Sequence, residues 1–467
     1  MSLAVVGGGV AGLAAAHRAV EWSRERSRPI ELTVLEATDR LGGTIQTERR
    51  EGFLVECGPD SFLSEKPWAL ALCRRLGIED RLVRTDDRYR QTYVVFRGRL
   101  HPLPEGFQLL APTRLRPFVA SRLFSWPGKL RMALDLVLPR GGDPDESLGA
   151  FVRRRLGREA LERVAQPLVA GIYTADPDEL SLAATMPRFL ELERKERSLI
   201  LALWRAARRA PAQQAATSGA RWSLFVTFAD GMEELIRALA QRLPPEAVRL
   251  KEPVTGIARD DGRWRLATAA GAAHLADAVV LAPEAHQVAR MVRYLDPSLA
   301  HLLEGIAYAS SATVTFAYRR ADIAHPLAGF GFVVPQIERR PIIACTFSSV
   351  KYPGRAPAGH VLLRVFMGGA LNEDVLRGDD ETLAAVARSQ LVELLGARGE
   401  PLFTRVSRYV KAMPQYHVGH LARVGAIEDV LRHHRGLVLA GGAYRGVGIA
   451  DCIHWAEEGT VKALEGT

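Results

Sequence analysis

The chain has 467 residues, enough for about three domains and a large buried core. Apolar residues make up 48% and charged residues 25%, which excludes a disordered tail, a collagen-like fibre and a coiled coil. The 62 basic and 53 acidic residues give a net charge of +9, which favours nucleic acid, anionic lipid or an acidic small molecule as a partner. No apolar run reaches membrane-spanning length and no signal-peptide pattern opens the chain, so we expect a cytoplasmic protein. The four cysteines form no CxxC pair, and neither a disulfide framework nor a zinc site is expected.

The chain opens on a nucleotide-binding fingerprint. An apolar strand at 3–6 leads into an Ala-rich helix through Gly7, Gly8, Gly9, Val10, Ala11 and Gly12. In this G-x-G-x-x-G spacing, Gly7 suits the tight turn, Gly9 admits a pyrophosphate and Gly12 lets the helix pack closely. A second apolar strand ends at Glu36, where the fingerprint places a ribose-binding acid. The pattern predicts a dinucleotide at the helix amino terminus, against the alternative of an ordinary Gly-rich turn with a surface glutamate.

The residues after Glu36 decide which dinucleotide we expect. The segment from Glu36 through Arg40 to Gly42-Gly43-Thr44 has the form E-x3-R-x-G-G, and it resembles the extended fingerprint of the FAD-dependent amine oxidase superfamily. Domains that bind only nicotinamide cofactors do not usually have this segment, so the expected cofactor moves from NAD to FAD. Arg40 is a candidate phosphate contact, against the alternative of a solvated surface arginine.

Other strands and Gly-rich turns are scattered along the chain. A strand end and turn are predicted at 54–62, strands at 254–266 and a buried strand at 278–283. An apolar strand at 437–440 leads through a Gly-rich turn into a helix at 453–464. The nucleotide domain is therefore predicted to be assembled from three separate pieces, with insertions between them.

The insertions are basic and amphipathic. Within 111–140 a single acid, Asp135, faces six basic residues: Arg114, Arg116, Arg122, Lys129, Arg131 and Arg140. Between them lie the apolar residues Phe118, Leu123, Phe124, Trp126, Leu130, Met132, Leu134 and Leu136. This pattern is typical of an interfacial membrane contact, and the alternative is a set of helices that bury their apolar face in a core. A second basic stretch covers 194–209, and 211–220 is predicted to be a loop.

The sequence contains none of the common hydrolytic or metal motifs. A G-x-S-x-G elbow, an H-E-x-x-H helix, a Walker A loop and clustered metal ligands are all missing, and so is any nucleic-acid-binding motif. Hydride transfer to a flavin fits this pattern, because the cofactor supplies the chemistry while the protein supplies binding and orientation.

Nearly the whole chain resembles the oxygen-dependent protoporphyrinogen and coproporphyrinogen oxidases, flavoenzymes of haem biosynthesis. Beyond the glycine fingerprint, the resemblance rests on seven segments: ECGPDSFL at 56–63, GIYTADPDELS at 171–181, RSLI at 197–200, GFGFVVP at 329–335, MGGA at 367–370, PQYHVGH at 414–420 and AYRGVGIADCI at 443–453.

The resemblance implies an α/β and α+β architecture in which a Rossmann-type FAD domain interleaves with two others. The FAD domain would comprise 1–86, 229–296 and 415–467. A helical membrane-associated domain would comprise 87–200, and a mixed-sheet substrate domain 201–228 and 297–414.

The resemblance also implies the reaction and the cofactor contacts. Six electrons would leave the porphyrinogen in three two-electron steps, each a hydride transfer to non-covalent FAD, with O2 reduced to H2O2. The FAD contacts would be Gly7, Gly8, Gly9, Val10, Ala11, Gly12, Glu36, Arg40, Gly43, Thr44, Gly58, Pro59, Asp60, Ser61, Val254, Gly442, Val447, Gly448 and Ile449.

The substrate residues follow from the same resemblance. Arg90, upstream of Tyr93-Val94, matches an arginine that pairs with a propionate, and Arg97 and Arg99 stay open because the alignment needs a gap there. Phe330 and Gly331 match an aromatic–glycine pair beneath the macrocycle, where the Gly331 carbonyl would have the catalytic role of polarising the ring N–H groups. Three further residues complete the set: Met367 would face the ring, and Gly171 and Tyr173 would shape the cavity. Plain core packing is the alternative for Phe330 and Met367.

We expect oxidation of protoporphyrinogen IX to protoporphyrin IX. The alternatives are oxidation of coproporphyrinogen III, a less favoured FAD amine oxidase or carotenoid-type desaturase, and a flavin-bearing module without enzymatic activity. The expected partners are a porphyrinogen, O2, the cytoplasmic face of a membrane and a ferrochelatase that receives the product, and nucleic acid is not expected. A homodimer is common in the family, and the sequence leaves the oligomeric state open.

Overall fold

The structure is a computed structural model that describes residues 1–108, 111–209 and 225–466. Its strands are β1 (Ser2–Val6), β2 (Glu31–Leu35), β3 (Thr47–Arg50), β4 (Phe53–Glu56), β5 (Phe62–Leu63), β6 (Leu82–Arg84), β7 (Thr92–Phe96), β8 (Arg99–Pro102), β9 (Phe107–Gln108), β10 (Ala111–Pro112), β11 (Phe225–Phe228), β12 (Val248–Arg249), β13 (Val254–Asp260), β14 (Arg263–Thr268), β15 (Ala273–Ala276), β16 (Ala278–Leu281), β17 (Tyr308–Arg319), β18 (Gly331–Val333), β19 (Ile342–Phe347), β20 (His360–Gly368), β21 (Phe403–Pro414) and β22 (Leu437–Leu439).

The α-helices of the described residues are α1 (Val10–Arg26), α2 (Pro67–Leu76), α3 (Leu115–Ala120), α4 (Trp126–Ala133), α5 (Leu148–Arg155), α6 (Arg158–Ala160), α7 (Gln166–Tyr173), α8 (Leu182–Thr185), α9 (Pro187–Glu196), α10 (Leu199–Arg209), α11 (Glu233–Ala240), α12 (Ala285–Val292), α13 (Pro297–Glu304), α14 (Ser348–Lys351), α15 (Asp380–Leu395), α16 (His420–Leu431) and α17 (Ile449–Glu465). A π-helical turn at 161–165 joins α6 to α7.

A parallel sheet gathers strands from distant parts of the chain, in the order β12-β2-β1-β16-β22. Successive side chains of a strand point to opposite faces, so Leu3 and Val5 pack beneath α1 and α17 while Ala4 and Val6 join a second cluster with α12. Both faces are covered, which explains why these strands are apolar throughout. This arrangement is the predicted Rossmann-type assembly from separate pieces.

The second large sheet has the order β21-β17-β20-β19-β18-β7-β8, and its strands pair antiparallel except for β18 with β7. One face packs against α15, whose Leu383, Ala387, Leu391 and Leu395 share a buried cluster with that face of β17 and β20. The other face looks toward the helical region and toward the turn before α17.

Three strands, β7, β8 and β11, pair with sheets outside the domain to which the sequence assigned them. β7 and β8 fall within 87–200, which we expected to be helical, yet they hydrogen-bond into the second large sheet. β11 falls within 201–228, which we expected in the substrate domain, yet it pairs with β5 and β6. The reason in both cases is a long-range strand pairing that local sequence patterns do not encode. The loop predicted at 211–220 lies outside the described residues.

The helices α3 to α10 pack around a core that they share with the second large sheet. The apolar residues of the basic stretch fall into a buried set and an exposed set, which match the two alternatives of core packing and membrane contact. Phe118, Leu123, Phe124 and Met132 are buried. Seven large apolar residues within 115–137 are exposed: Leu115, Val119, Trp126, Leu130, Leu134, Leu136 and Val137. None of the helices in the described parts of the chain is both long and apolar enough to cross a membrane.

Asp135, the single acid of the basic stretch, is fully buried inside the helical region. It pairs with the equally buried Arg155 at 2.5 Å and accepts hydrogen bonds from the Ser198 hydroxyl at 2.6 Å and the Ile200 N–H at 2.9 Å. A buried charge needs this degree of partnership, because removing either ion would strand the other in a low-dielectric interior. The pair therefore joins the 3₁₀ turn at 134–136 to the end of α5 and the start of α10.

Candidate active site

The turn after β1 gives the start of α1 the shape of an anion site. Gly7 has a φ of +97°, and a Cβ on Gly12 would lie 1.9 Å from the Gly7 carbonyl oxygen, so both positions need glycine. Gly9 caps α1 in an extended conformation, and in this fully described stretch no side chain caps the helix and no acid occupies its first turn. The N–H groups around Val10 and Ala11 thus lack side-chain acceptors, which favours phosphate binding there.

Glu36 is buried beside this turn, with 8% of its surface exposed. One carboxylate oxygen accepts a hydrogen bond from the Gly8 N–H at 2.6 Å, and the other accepts from the N–H and hydroxyl of Thr38, both at 2.8 Å. A carboxylate offers about four acceptor sites, so capacity remains for a ribose hydroxyl. Glu36 therefore fits the acid of the fingerprint and also anchors the glycine turn.

Arg40 holds the following loop together. Its guanidinium donates to the backbone carbonyls of Leu41, Gly43 and Ile45. Thr44 and Gly43 are exposed at the tip of this loop, and a Cβ on Gly43 would lie 3.3 Å from the Cα of Gly9. The structure therefore gives Arg40 a loop-building role, and its contact with phosphate remains a prediction.

The segment Gly58, Pro59, Asp60 and Ser61 packs against the same loop. A Cβ on Gly58 would lie 1.7 Å from the Thr44 carbonyl oxygen, so the two backbones touch. Burial alone would raise the pKa of Asp60, but the Lys351 ammonium at 3.1 Å and the nearby Arg364 lower that pKa to about 2. Asp60 is therefore ionised and held by positive charge from Lys351 on α14 and Arg364 on β20.

The Gly-rich turn before α17 brings a second helix amino terminus to this place. Gly442 precedes Val447, Gly448 and Ile449, and Gly448 caps α17 without a side-chain hydrogen bond. β1 and β22 are parallel and α1 packs against α17, so both helices begin at the carboxyl edge of the sheet. Val254 is buried at the start of β13, just after a segment in which Glu252 donates its N–H to the Glu36 carbonyl at 2.9 Å.

These residues fit a dinucleotide such as FAD. Two helix amino termini, several glycines whose Cβ atoms would collide, and a buried acid with spare acceptor capacity converge at one sheet edge. Anionic phosphates suit the helix termini and a ribose suits the acid. The predicted cofactor residues of the amino-terminal and carboxy-terminal segments are thus brought together.

Gly331 lies on the face of the second large sheet that looks toward this site. It has a φ of +144°, and a Cβ there would lie 2.0 Å from the Cys345 carbonyl oxygen. It pairs with Thr346, which in turn pairs with Arg364, so the three form one row across β18, β19 and β20. At the usual spacing of about 4.8 Å per strand, Gly331 and Arg364 are roughly 10 Å apart.

Gly171 and Tyr173 approach that face from α7. A Cβ on Gly171 would lie 4.0 Å from a methyl group of Val333, two residues after Gly331. Tyr173 donates its hydroxyl to the Thr185 carbonyl at 3.2 Å, and its ring packs with Phe366 and Val447 against one apolar cluster. Burial, followed by the charge of Asp451, raises the pKa of Tyr173 to about 12, so its hydroxyl stays neutral. The apolar cluster beside Gly171 and Tyr173, which we call the cavity wall of the proposed substrate site, reaches the turn before α17.

Of the three candidate arginines, Arg90 lies nearest to the point where β7 pairs with Gly331 of β18. Gln91 accepts a hydrogen bond from the Phe330 N–H at 2.8 Å, which places Arg90 at the same end of β7. Its guanidinium pairs with Asp87 and its side chain is 17% exposed. Arg97 and Arg99 are exposed at the β7–β8 turn, the far end of that strand.

Phe330 is buried, and its carbonyl accepts from the Phe347 N–H at 2.8 Å. Met367 is not where we expected it. Its side chain is fully buried in the cluster shared with α15, on the opposite face of the second large sheet. Alternation along β20 instead turns Phe366 toward the cavity cluster. The structure thus does not bring Met367 to the cavity wall.

Two residues of this region were missed from the sequence. Arg364 is 5% exposed, and within the described residues its Nε has no hydrogen-bond partner. With Asp60 and Arg355 it lines a small cavity that has room for about one water molecule. An arginine inside the apolar run of β20 was an available signal, because a charge is rarely buried without a purpose. Lys351 carries no comparable signal in the sequence.

Comparisons with known proteins place this geometry in a family. The sequence model of the family described as flavin containing amine oxidoreductase matches residues 10–458. The coproporphyrinogen III oxidase of Propionibacterium freudenreichii is 39% identical over 504 residues, covering 100% of this chain and 92% of the relative. The human protoporphyrinogen oxidase is 30% identical over 485 residues, covering 99% and 98%.

A solved structure agrees with these sequence comparisons. A candidate protoporphyrinogen oxidase from Exiguobacterium sp. 255-15 superposes with a TM-score of 0.87 at 34% identity, and the match covers 99% of each chain. The resemblance stated from sequence motifs and the predicted fold class are thereby confirmed. The chain belongs to the flavin containing amine oxidoreductase family, as a flavin oxidoreductase of the group that includes the coproporphyrinogen III and protoporphyrinogen oxidases.

Proposed function

We propose that this chain oxidises a porphyrinogen to the corresponding porphyrin. In the balanced reaction, one porphyrinogen and three O2 give one porphyrin and three H2O2, so six hydrogen atoms leave the substrate. FAD is the cofactor, and when bound it would supply the hydride acceptor for the substrate and the means of transferring electrons to O2. The observation that carries the proposal is the position of Gly331, at a φ of +144° on β18, on the sheet face that shares the apolar cluster of Tyr173 and Val447.

The chain's own residues would bind and orient the substrate. Gly331, whose Cβ would collide with Cys345, and Gly171, whose Cβ would lie 4.0 Å from Val333, would leave backbone without side chains beside the macrocycle. The carbonyl of Gly331 is proposed to polarise the ring N–H groups, which is the catalytic role expected from the sequence. Tyr173 and Phe330 would shape the apolar cavity. Arg90 would pair with a propionate through its planar guanidinium.

The residues proposed to hold FAD are those predicted from the sequence. The glycine turn and α1 would take the pyrophosphate, Glu36 the ribose, and the turn before α17 the flavin. Ionised Asp60 is held by Lys351 at 3.1 Å, so the 58–61 segment is fixed against the loop that contains Thr44. Supporting this assignment, the segments converge although they are up to about 440 residues apart.

The relatives help to choose between the two porphyrinogens. The sequence pattern favoured protoporphyrinogen IX, with coproporphyrinogen III as the alternative. The coproporphyrinogen III oxidase of Propionibacterium freudenreichii is the nearer of the two relatives, and the cavity region adds Arg364 to Arg90 as positive charge. We propose that both are oxidised and that coproporphyrinogen III, which has more carboxylates, is preferred.

An anaerobic titration tests the proposal. Purified holoenzyme is mixed with coproporphyrinogen III without O2, and the flavin absorption is followed. Bleaching of the flavin with parallel appearance of porphyrin absorption is expected. A flavin that stays oxidised would contradict the proposal and favour a flavin-bearing module without this activity, whereas bleaching by an amine or a polyene alone would favour the related oxidase and desaturase chemistries.

We propose a peripheral contact with the cytoplasmic face of a membrane. The seven exposed apolar residues within 115–137 lie among arginines, and Trp126 and Leu130 are 65% and 68% exposed. An apolar face ringed by basic residues binds anionic bilayers. In sedimentation with phosphatidylglycerol vesicles, Leu130→Glu should release the protein, whereas Leu275→Glu on β15 should not.

The remaining expectations rest on the family resemblance. We propose the division into an FAD domain, a helical domain and a substrate domain, with β7 and β8 moved to the substrate domain and β11 to the FAD domain. Transfer of the porphyrin to a ferrochelatase and a homodimeric state are proposed on the same basis, and size-exclusion chromatography with light scattering tests the latter.

A further inference from the structure

The segment 414–420, one of the motifs that supported the resemblance, lies between the cavity wall and the turn before α17. Tyr416 is 2% exposed, and its hydroxyl makes two hydrogen bonds to this turn. It donates to the Gly442 carbonyl at 2.6 Å and accepts from the Gly446 N–H at 2.8 Å. One side chain therefore closes both ends of the turn that leads into α17.

The surroundings leave Tyr416 and the turn little freedom. The ring of His420 stacks on the ring of Tyr416 with centroids 3.9 Å apart. Its Nε2 lies 2.9 Å from the Tyr444 carbonyl, and because a carbonyl only accepts, Nε2 holds the proton. Burial lowers the pKa of His420, so the ring is neutral. At Gly446 the φ is +136° and a Cβ would lie 2.5 Å from Asp451, so the turn is packed from the other side as well.

The same segment also forms hydrogen bonds with residues at the cavity wall. The Tyr416 carbonyl accepts from the Ser181 N–H at 2.7 Å. The neighbouring side chain of Gln415 donates to the Tyr173 carbonyl at 3.2 Å. Two adjacent residues therefore link α7, which forms the cavity wall, to the turn before α17.

We propose that Tyr416 is a positioning residue for the flavin, which presents Val447, Gly448 and Ile449 to the cofactor and ties this turn to the substrate wall. The inference rests on the proposed flavin site at that turn. A hydroxyl that bonds both ends of a glycine-containing turn restricts its backbone, and a preorganised site binds its ligand more tightly. Its effect should therefore appear in cofactor affinity and not only in protein stability.

The chain offers a matched control in Tyr444. Its hydroxyl is also buried in this turn region, but within the described residues it has no hydrogen-bond partner. Tyr416→Phe and Tyr444→Phe thus remove the same atom from neighbouring buried sites. The first loses two hydrogen bonds to the turn, and the second loses none.

The experiment removes FAD from each purified variant and measures its rebinding by flavin fluorescence, with the absorption spectrum of the reloaded protein. Tyr416→Phe should raise the dissociation constant of FAD about tenfold and alter the flavin absorption bands. Tyr444→Phe should stay within about twofold of the parent in both readouts. The proposal would be overturned if Tyr416→Phe lowered the unfolding temperature but left FAD binding as in the parent. Such a result would mean that the hydroxyl contributes to stability alone.

A second variant keeps the test decisive if Tyr416→Phe does not fold. His420→Gln removes the stacked ring but leaves the Tyr416 hydroxyl and a donor for the Tyr444 carbonyl. It should weaken FAD binding about threefold, and unchanged binding would overturn the proposal. No porphyrinogen is present in these titrations, so a failure of porphyrinogen oxidation leaves their outcome intact.

Discussion

The carboxylate of Glu36 accepts a hydrogen bond from the backbone N–H of Gly8 at 2.6 Å, which ties the end of β2 to the glycine turn before α1. Replacing Glu36 with alanine removes this anchor and the proposed ribose acceptor. Hydrogen bonds to a charged group contribute about 1.5–3 kcal/mol, so the dissociation constant of FAD should rise about 10- to 100-fold. Fluorescence titration of the apoprotein measures it. Glu31→Ala, at the exposed start of the same strand, is the control, and equal affinities of the two variants would contradict the assignment.

Gly331 is expected to tolerate no side chain. A Cβ there would lie 2.0 Å from the Cys345 carbonyl oxygen and would push β18 away from β19. A misplacement of about 1 Å can cost about 100-fold in rate, so Gly331→Ala should lower kcat/KM for the porphyrinogen by about that factor. Gly425→Ala is the control, because a Cβ there meets no described atom within 4 Å. Flavin content is measured in parallel, and full turnover by Gly331→Ala with normal flavin content would argue against its place in the site.

Arg90 is expected to act on substrate binding. A bidentate guanidinium–carboxylate pair contributes about 1.5–3 kcal/mol, so Arg90→Ala should raise KM about 10- to 100-fold. Arg97→Ala and Arg99→Ala, at the far end of β7, should leave KM unchanged. Steady-state fluorescence with coproporphyrinogen III measures all three. An effect confined to Arg97 or Arg99 would move the proposed propionate site to the β7–β8 turn.

Glu56 should make stability depend on pH. Burial raises its pKa to about 7, although Arg355 at 3.6 Å and hydrogen bonds from the Met232 N–H and the Thr47 hydroxyl act in the opposite direction. The folded protein keeps this proton to a higher pH than the unfolded chain, so this contribution to stability is complete below about pH 4.5 and disappears as the pH rises through about 7. At about 1.4 kcal/mol for each unit of pKa, the loss is about 3 kcal/mol.

A glutamine side chain cannot titrate, so Glu56→Gln tests directly whether stability falls as the pH rises. Urea unfolding of the parent and of the variant is measured between pH 5 and pH 8. The free energy of unfolding of the parent should fall relative to that of Glu56→Gln as the pH rises. Parallel curves across this range would show that Glu56 has an ordinary pKa in the folded protein.

The sequence predicted the parts of the fold that local patterns encode. Glycines at fixed spacing, the short apolar strands and the acid after β2 are signals contained within a few residues, and the structure places Gly7, Gly12 and Glu36 as those signals require. The Gly-rich turn before α17 was likewise predicted from a local pattern to contact the cofactor, because a Gly-rich strand-to-helix turn suits phosphate or flavin binding.

The sheet face to which a side chain points and the pairing of strands distant in the sequence were harder to predict. Met367 was expected to face the ring but is buried on the sheet face that packs against α15, because an alternating pattern separates two faces without saying which one meets the proposed cavity. Similarly, β7 joined the second large sheet through pairing with β18, more than 200 residues away in the chain. Arg364 was missed although its charge interrupts an apolar strand, since no motif assigned it a partner.

The most direct test of the account is porphyrin fluorescence in air, with purified holoenzyme and either coproporphyrinogen III or protoporphyrinogen IX at matched concentrations. We expect fluorescence to grow with both substrates above the rate without enzyme, and faster with coproporphyrinogen III, with three H2O2 formed for each porphyrin. A faster rate with protoporphyrinogen IX would reverse the proposed preference. No enzyme-dependent growth with either substrate, in protein that retains FAD, would contradict the central claim.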